Sequence, residues 1–142
     1  MIRIRTDDRV RVVTLDRPAR RNALRPEDLT ALRSAVVDAE APVTYLRGAG
    51  DAFCAGADLD AVADLDAGEE TAAGREGDGT DAESDGDAAS SFARLGQRTA
   101  AAIADADTVV VCGVDGAARG GGVELALAAD LRVATPAATF AE

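Results

Sequence analysis

Apolar and polar positions alternate in two short runs at the start of the chain, residues 2–5 and 10–15. A period of two marks strands with one buried face. Asp7 and Asp8 lie between the runs, so the pattern predicts a hairpin. Asp16-Arg17-Pro18 ends the second strand, because proline cannot donate to a ladder, and residues 19–24 read as a loop. Pro26 then opens a helix, with Glu27 and Asp28 at the end where the dipole favours acid. Leu29, Leu32 and Val36 carry its apolar stripe to about residue 40, and Pro42 closes it. Residues 43–47 read as a third strand. They deliver the chain into a small-residue loop at 48–59, where Phe53 and Leu59 imply packing. Phe92, Leu95, Thr99 and Ile103 predict a second helix to about residue 106, followed by a strand at 109–114. After three glycines (120–122) a helix over 121–129 is apolar nearly all round, so it is expected to be buried. A short strand at 131–134 follows.

Composition changes the picture in one segment and in one property. Residues 64–91 hold ten acidic residues, one Arg and almost nothing to bury, so a flexible acidic insertion is expected there. The whole chain of 142 residues, long enough for one domain, has 26 acidic and 15 basic residues and a net charge of −11. Every basic residue is Arg, and Lys and His are absent. Such a surface argues against nucleic acid as a partner and suits a salty, halophilic cytoplasm, where salt screens self-repulsion. No leader and no membrane-length apolar run is visible, so a cytoplasmic address is expected, with no membrane partner. Without His, neither a His-based triad nor a zincin-type zinc site can form. Carboxylates, cysteines, hydroxyls and backbone dipoles remain.

Candidate chemistry concentrates at residues 109–130. A strand runs into Gly120, Gly121 and Gly122, which open a helix carrying Glu124. Glycines permit close backbone approach, and a first helical turn offers unpaired N–H groups and a positive dipole end. The spacing is not G-x-G-x-x-G, and no Gly-Lys-Ser/Thr follows, so a phosphate loop is excluded. Glu124, expected in apolar surroundings, reads equally as a functional carboxylate or as one bonded to backbone or to Arg119. Arg20 and Arg21 either grip a phosphate or are solvated surface charge. Cys54 reads as a small buried residue rather than a nucleophile.

Three segments, LDRPARRNAL (15–24), GAGDAFCAGADL (48–59) and VVVCGVDGAARGGGVELALAADLRVATPAATF (109–140), resemble the enoyl-CoA hydratase/isomerase, or crotonase, family in order and approximate spacing. The resemblance implies an α/β fold, a crotonase-like superhelix of ββα units. It covers roughly the first half of a family member, so residues 1–142 would form a partial domain lacking the later part of the fold. It also implies acyl-CoA thioester substrates, a place in fatty acid metabolism, and a homo-oligomer (trimer or hexamer) in the complete fold. Coenzyme A would enter as part of the substrate, with no separate cofactor and no metal.

Carried over by position, the resemblance makes Ala57 and Gly121 the two backbone donors of an oxyanion hole. It makes Glu124 an acid/base glutamate, whose desolvation would draw its pKa toward neutral. Arg21 falls where a basic residue meets the CoA phosphates, and Ala55, Asp58, Leu59 and Gly120 fall along the substrate. By spacing from Phe140, the second hydratase glutamate falls two positions past Glu142. The implied activity is hydration or isomerisation of a 2-enoyl-CoA through an enolate. The alternatives are a non-catalytic or partner-dependent acyl-CoA-binding subunit, or an inactive fragment.

Overall fold

The computed structural model describes residues 1–64 and 88–142. Most of the acidic stretch expected to be flexible lies outside them. Strands β1 (Ile2–Asp7) and β2 (Val10–Leu15) form the expected antiparallel hairpin, turning at Asp8 with φ 51°. Beyond β2, Pro18–Arg20 form a short 3-10 helix where the sequence reads as loop. Helix α1 (Pro26–Val37) stops a turn earlier than its apolar stripe suggests.

From β3 (Val43–Gly48) onward the chain repeats one pattern: a long strand, a short strand, then a helix or the next long strand. Strand β3 is followed by β4 (Ala52–Cys54), a helical turn at 59–64 and, after the undescribed residues, helix α2 (Ala88–Ala104). Strand β5 (Val109–Val114) is followed by β6 (Ala117–Arg119) and helix α3 (Gly121–Ala128). Strand β7 (Leu131–Ala134) is followed by β8 (Thr139–Ala141). The long strands make a five-stranded sheet in the order β1-β2-β3-β5-β7, and the short ones a second sheet in the order β4-β6-β8. All pairings after the first hairpin are parallel.

The short strands escape the sequence reading for a physical reason. Ala52, Phe53 and Cys54 are all buried, so they show no alternation, and β4 is a strand because β6 lies beside it. Helix α2 begins at Ala88, so the last residues of the supposed flexible stretch 64–91 are helical.

One face of the large sheet, with Val13, Leu15, Leu46, Val110, Cys112 and Val114, forms the core together with Leu29, Leu32 and Val36 of α1 and Ile103 of α2. Thr99 ties the helices together: its hydroxyl donates to Leu29 O at 3.3 Å and to Leu95 O at 2.9 Å. Among the described residues, no helix is long and apolar enough to cross a membrane.

Candidate active site

Loop 17–24 is held by one side chain. Asn22 is buried at the end of two successive left-handed residues, Arg21 (φ 48°) and Asn22 (φ 57°). Asn tolerates that region better than most residues. Its Nδ2 donates to Ala49 O and Ala52 O at 2.8 Å and faces Phe53 O at 3.2 Å; its Oδ1 accepts from Arg17 N–H at 2.9 Å. Asn22 therefore fastens this loop to the loop before β4. The sequence reading passed over it; a lone Asn between Arg21 and Ala23 gives only a weak turn signal.

Ala57 is oriented by its neighbours. Leu24 N–H donates to Gly56 O at 2.7 Å, and Asp58 N–H donates to Leu24 O at 2.8 Å, making a parallel bridge between Leu24 and Ala57. With the flanking groups used on the Leu24 side, Ala57's own N–H points away from it. It finds no acceptor among the described residues.

The two small-residue segments interlock. A β-carbon on Gly56 would sit 2.9 Å from Arg119 O, and one on Gly122 would sit 2.5 Å from Cys54 O. Both glycines are thus required for chain-to-chain contact. Gly120 takes φ 45° and ψ −122°, and its N–H donates to Ala141 O at 3.0 Å. Gly121 is different: a β-carbon there would meet nothing within 4 Å. It is the first residue of α3, so its N–H has no partner within the helix.

Ala57, Gly121 and Glu124 line one cavity of about 210 Å³, with Leu24, Leu29 and Leu125 as apolar wall. Two backbone donors and a carboxylate on one cavity suit chemistry in which an acyl oxygen gathers negative charge while a proton moves nearby. Helix α2 closes a further side of it through Phe92, Ala93, Gly96 and Gln97.

Several expectations need correction. Glu124 is exposed rather than enclosed in apolar surroundings, and Leu127 on the same helix is 65% exposed. Helix α3 packs against α2, β4 and β6, and its face with Glu124 and Leu127 is exposed. Neither of the bonded alternatives for Glu124 is realised. Arg119 instead donates to Ala118 O, Thr139 O and Thr139 Oγ1, and Glu124 has no side-chain hydrogen bond or ion pair among the described residues. Phe53 packs as expected, but Leu59 is 76% exposed at the start of the helical turn.

The remaining positions sit on the far side of Ala57. Asp58 is buried beneath arginines rather than apolar side chains: Arg17 Nη2 lies 2.8 Å from Oδ2, Arg20 Nη2 3.3 Å from Oδ1 and Arg25 Nε 3.5 Å from Oδ2. The hydrogen bond from Arg17 outweighs burial and, with help from Arg20, holds the Asp58 carboxyl down at about 2. Arg20 also pairs with Asp60. These residues border a second, larger cavity of about 670 Å³. Arg21 is exposed and, unlike Arg20, has no ion pair among the described residues; Ala55 N–H donates to Arg21 O at 2.9 Å. Cys54 is buried against this framework, and burial pushes its thiol up to about 11.

The comparisons with known proteins agree with this architecture. The sequence profile described as enoyl-CoA hydratase/isomerase matches residues 10–142. The chain belongs to that family. Among relatives of the enoyl-CoA hydratase/isomerase family, the probable enoyl-CoA hydratase EchA14 of Mycobacterium tuberculosis is 36% identical over 138 residues, covering 94% of this chain and 46% of the relative. Mevalonyl-coenzyme A hydratase SIDH of Beauveria bassiana is 40% identical over 137 residues, covering 92% of this chain and 44% of the relative. The crystal structure of an enoyl-CoA hydratase/isomerase from Xanthobacter autotrophicus Py2 superposes with a TM-score of 0.79 at 31% identity, covering 99% of this chain and 48% of that one. The chain thus spans about half the length of the relatives it matches. Its fold is the crotonase-like superhelix, represented by the family's N-terminal half.

Proposed function

We propose that this chain carries the acyl-thioester site of an enzyme that hydrates a 2-enoyl-CoA or shifts its double bond. The observation that supports this most directly is the pair of N–H groups on Ala57 and Gly121, without acceptors among the described residues and bordering one cavity with Glu124. In this reading the thioester oxygen accepts from both donors, and the enolate that forms is held at the positive end of α3. Glu124 transfers a proton to or from the acyl group or its water. Leu24, Leu29 and Leu125 face the hydrocarbon part of the acyl group. Arg21, exposed and without an ion pair, meets the phosphates of coenzyme A, which enters only as part of the substrate. Ala55, Leu59 and Gly120 lie along its path, and Asp58, its carboxylate committed to Arg17 and its N–H to Leu24, holds this loop in place beside it.

The decisive assay follows loss of enoyl-thioester absorbance with butenoyl-CoA. The parent chain is expected to turn over, and Glu124→Gln to lose most of that rate without losing stability. A Glu124→Gln variant as active as the parent would sink the role given to Glu124.

A second reading is favoured by one feature. Glu124 and Leu127, three residues apart on one face of α3, are both exposed, so this face of the helix is open. In that reading the chain binds acyl-CoA and turns it over only when further protein covers this surface, as in a trimer or hexamer of complete folds. Calorimetry showing butenoyl-CoA binding without turnover, and activity regained on adding a second polypeptide, would favour it.

A further inference from the structure

Helix α2 both packs on the core and borders a cavity, and Phe92 does both. Leu95, Thr99 and Ile103 pack inward, while Phe92, Ala93, Gly96 and Gln97 border the cavity that also touches Ala57 and Gly121. These four positions fall on one side of the helix by their spacing. Gly96 is the anomaly among them. A glycine inside a helix is less favourable than alanine by about 1 kcal/mol. Two structural reasons for keeping one are a left-handed backbone and a neighbour too close for a β-carbon.

Neither reason applies here. Gly96 is not among the glycines with positive φ, and a β-carbon built on it meets no described heavy atom within 4 Å. The contrast with other glycines is sharp. A β-carbon on Gly113 would lie 2.2 Å from the Tyr45 hydroxyl, one on Gly48 2.4 Å from Ala52 O, and one on Gly116 2.0 Å from Asp51 O. Among the described residues, the glycines with open space around them are Gly96, Gly120 and Gly121. Gly121 and Gly96 line the same cavity, and Gly120 adjoins it. Gly96 is half-buried and lines this cavity.

We propose that Gly96 determines acyl-chain specificity: its missing side chain leaves room in the cavity, beside Phe92 and Gln97, for a long or branched hydrocarbon tail. The inference rests on the reading of this cavity as the acyl-thioester site, and it narrows the substrate class to 2-enoyl thioesters with tails longer than the oxyanion hole itself requires. A residue with a bulky side chain at this position fills that space and leaves room for a short acyl group only.

The test is a calorimetric titration of the chain and two variants with butenoyl-CoA and decenoyl-CoA, together with their melting temperatures. Gly96→Ala is expected to melt higher than the parent, because the helix gains and nothing is displaced. Gly96→Leu is expected to keep its affinity for butenoyl-CoA and to bind decenoyl-CoA about tenfold more weakly, the effect of excluding roughly two methylenes from an apolar site. Decenoyl-CoA bound equally by the parent and Gly96→Leu would overturn the inference, as would a Gly96→Ala variant that melts lower, since a neighbour would then need the gap. A parent that binds neither thioester would overturn the acyl-site reading, and with it the inference; loss restricted to decenoyl-CoA supports both.

Discussion

A β-carbon on Gly122 would lie 2.5 Å from the carbonyl oxygen of Cys54 and 2.8 Å from its Cβ. This contact presses the start of α3 against the strand that leads to Ala57, and so sets the spacing of the Ala57 and Gly121 N–H groups. Gly122→Ala is therefore expected to lose about 1–3 kcal/mol of stability through overpacking against backbone. Gly121→Ala, one residue earlier but open to the cavity, should stay within about 0.5 kcal/mol of the parent. Urea midpoints for the two variants measure the difference, and equal midpoints would contradict the packing described.

Asn22 offers a second contrast. Its amide NH₂ faces the carbonyls of Ala49, Ala52 and Phe53 in a buried position. Asn22→Asp puts an acceptor where three acceptors converge, and Asn22→Ala leaves carbonyls without their donor. Each is expected to lose roughly 1–3 kcal/mol, with Asp the worse of the two because it also buries a charge. Thermal melts at neutral pH check the order.

Asp58 carries an acid dependence with a definite sign. The hydrogen bond from Arg17 lowers its folded pKa to about 2, below the value of about 3.9 expected in the unfolded chain. Its contribution is fully present above about pH 4 and is lost as the pH falls toward about 2. Stability should therefore drop across that window, and more shallowly in Asp58→Asn, which is less stable at neutral pH because Arg17 loses its 2.8 Å ion pair and keeps only the longer one to Asp28. Identical acid profiles for the two proteins would remove Asp58 from this role.

The two cysteines should be inert in the folded protein. Burial raises Cys54 to about 11 and Cys112 to about 12, so almost no thiolate exists at pH 8. Iodoacetamide is expected to leave both unmodified in the native state and to label both in urea. Rapid native labelling of either, read by mass spectrometry, would show an opening absent from this structure.

The net charge of −11 predicts a response to salt. Screening of self-repulsion should raise the melting temperature as sodium chloride increases from low to molar concentration. A flat profile would indicate that the acidic residues are too dispersed to matter.

The family resemblance was legible before any coordinates, because three motifs keep their order and approximate spacing along the chain. Strands β3 and β5 and helix α1 were also legible, since one face of each is more buried than the other. The short strands were not. Ala52–Cys54 is buried on both sides and Thr139–Ala141 is exposed throughout, so neither alternates, and each is a strand only through its parallel partner. Glycine content predicted close approach but not of what to what. Gly56 and Gly122 serve contacts between loops, while Gly121 borders open space. Residue order alone determined which groups can take part in chemistry: a Glu beside a glycine turn, in a chain with no His and no Lys. Tertiary structure alone decided that Ala57 and Gly121, far apart in the chain, border one cavity, and that Glu124 faces outward there. Both outcomes depend on which distant segments pack against α3, and no local pattern of residues encodes that.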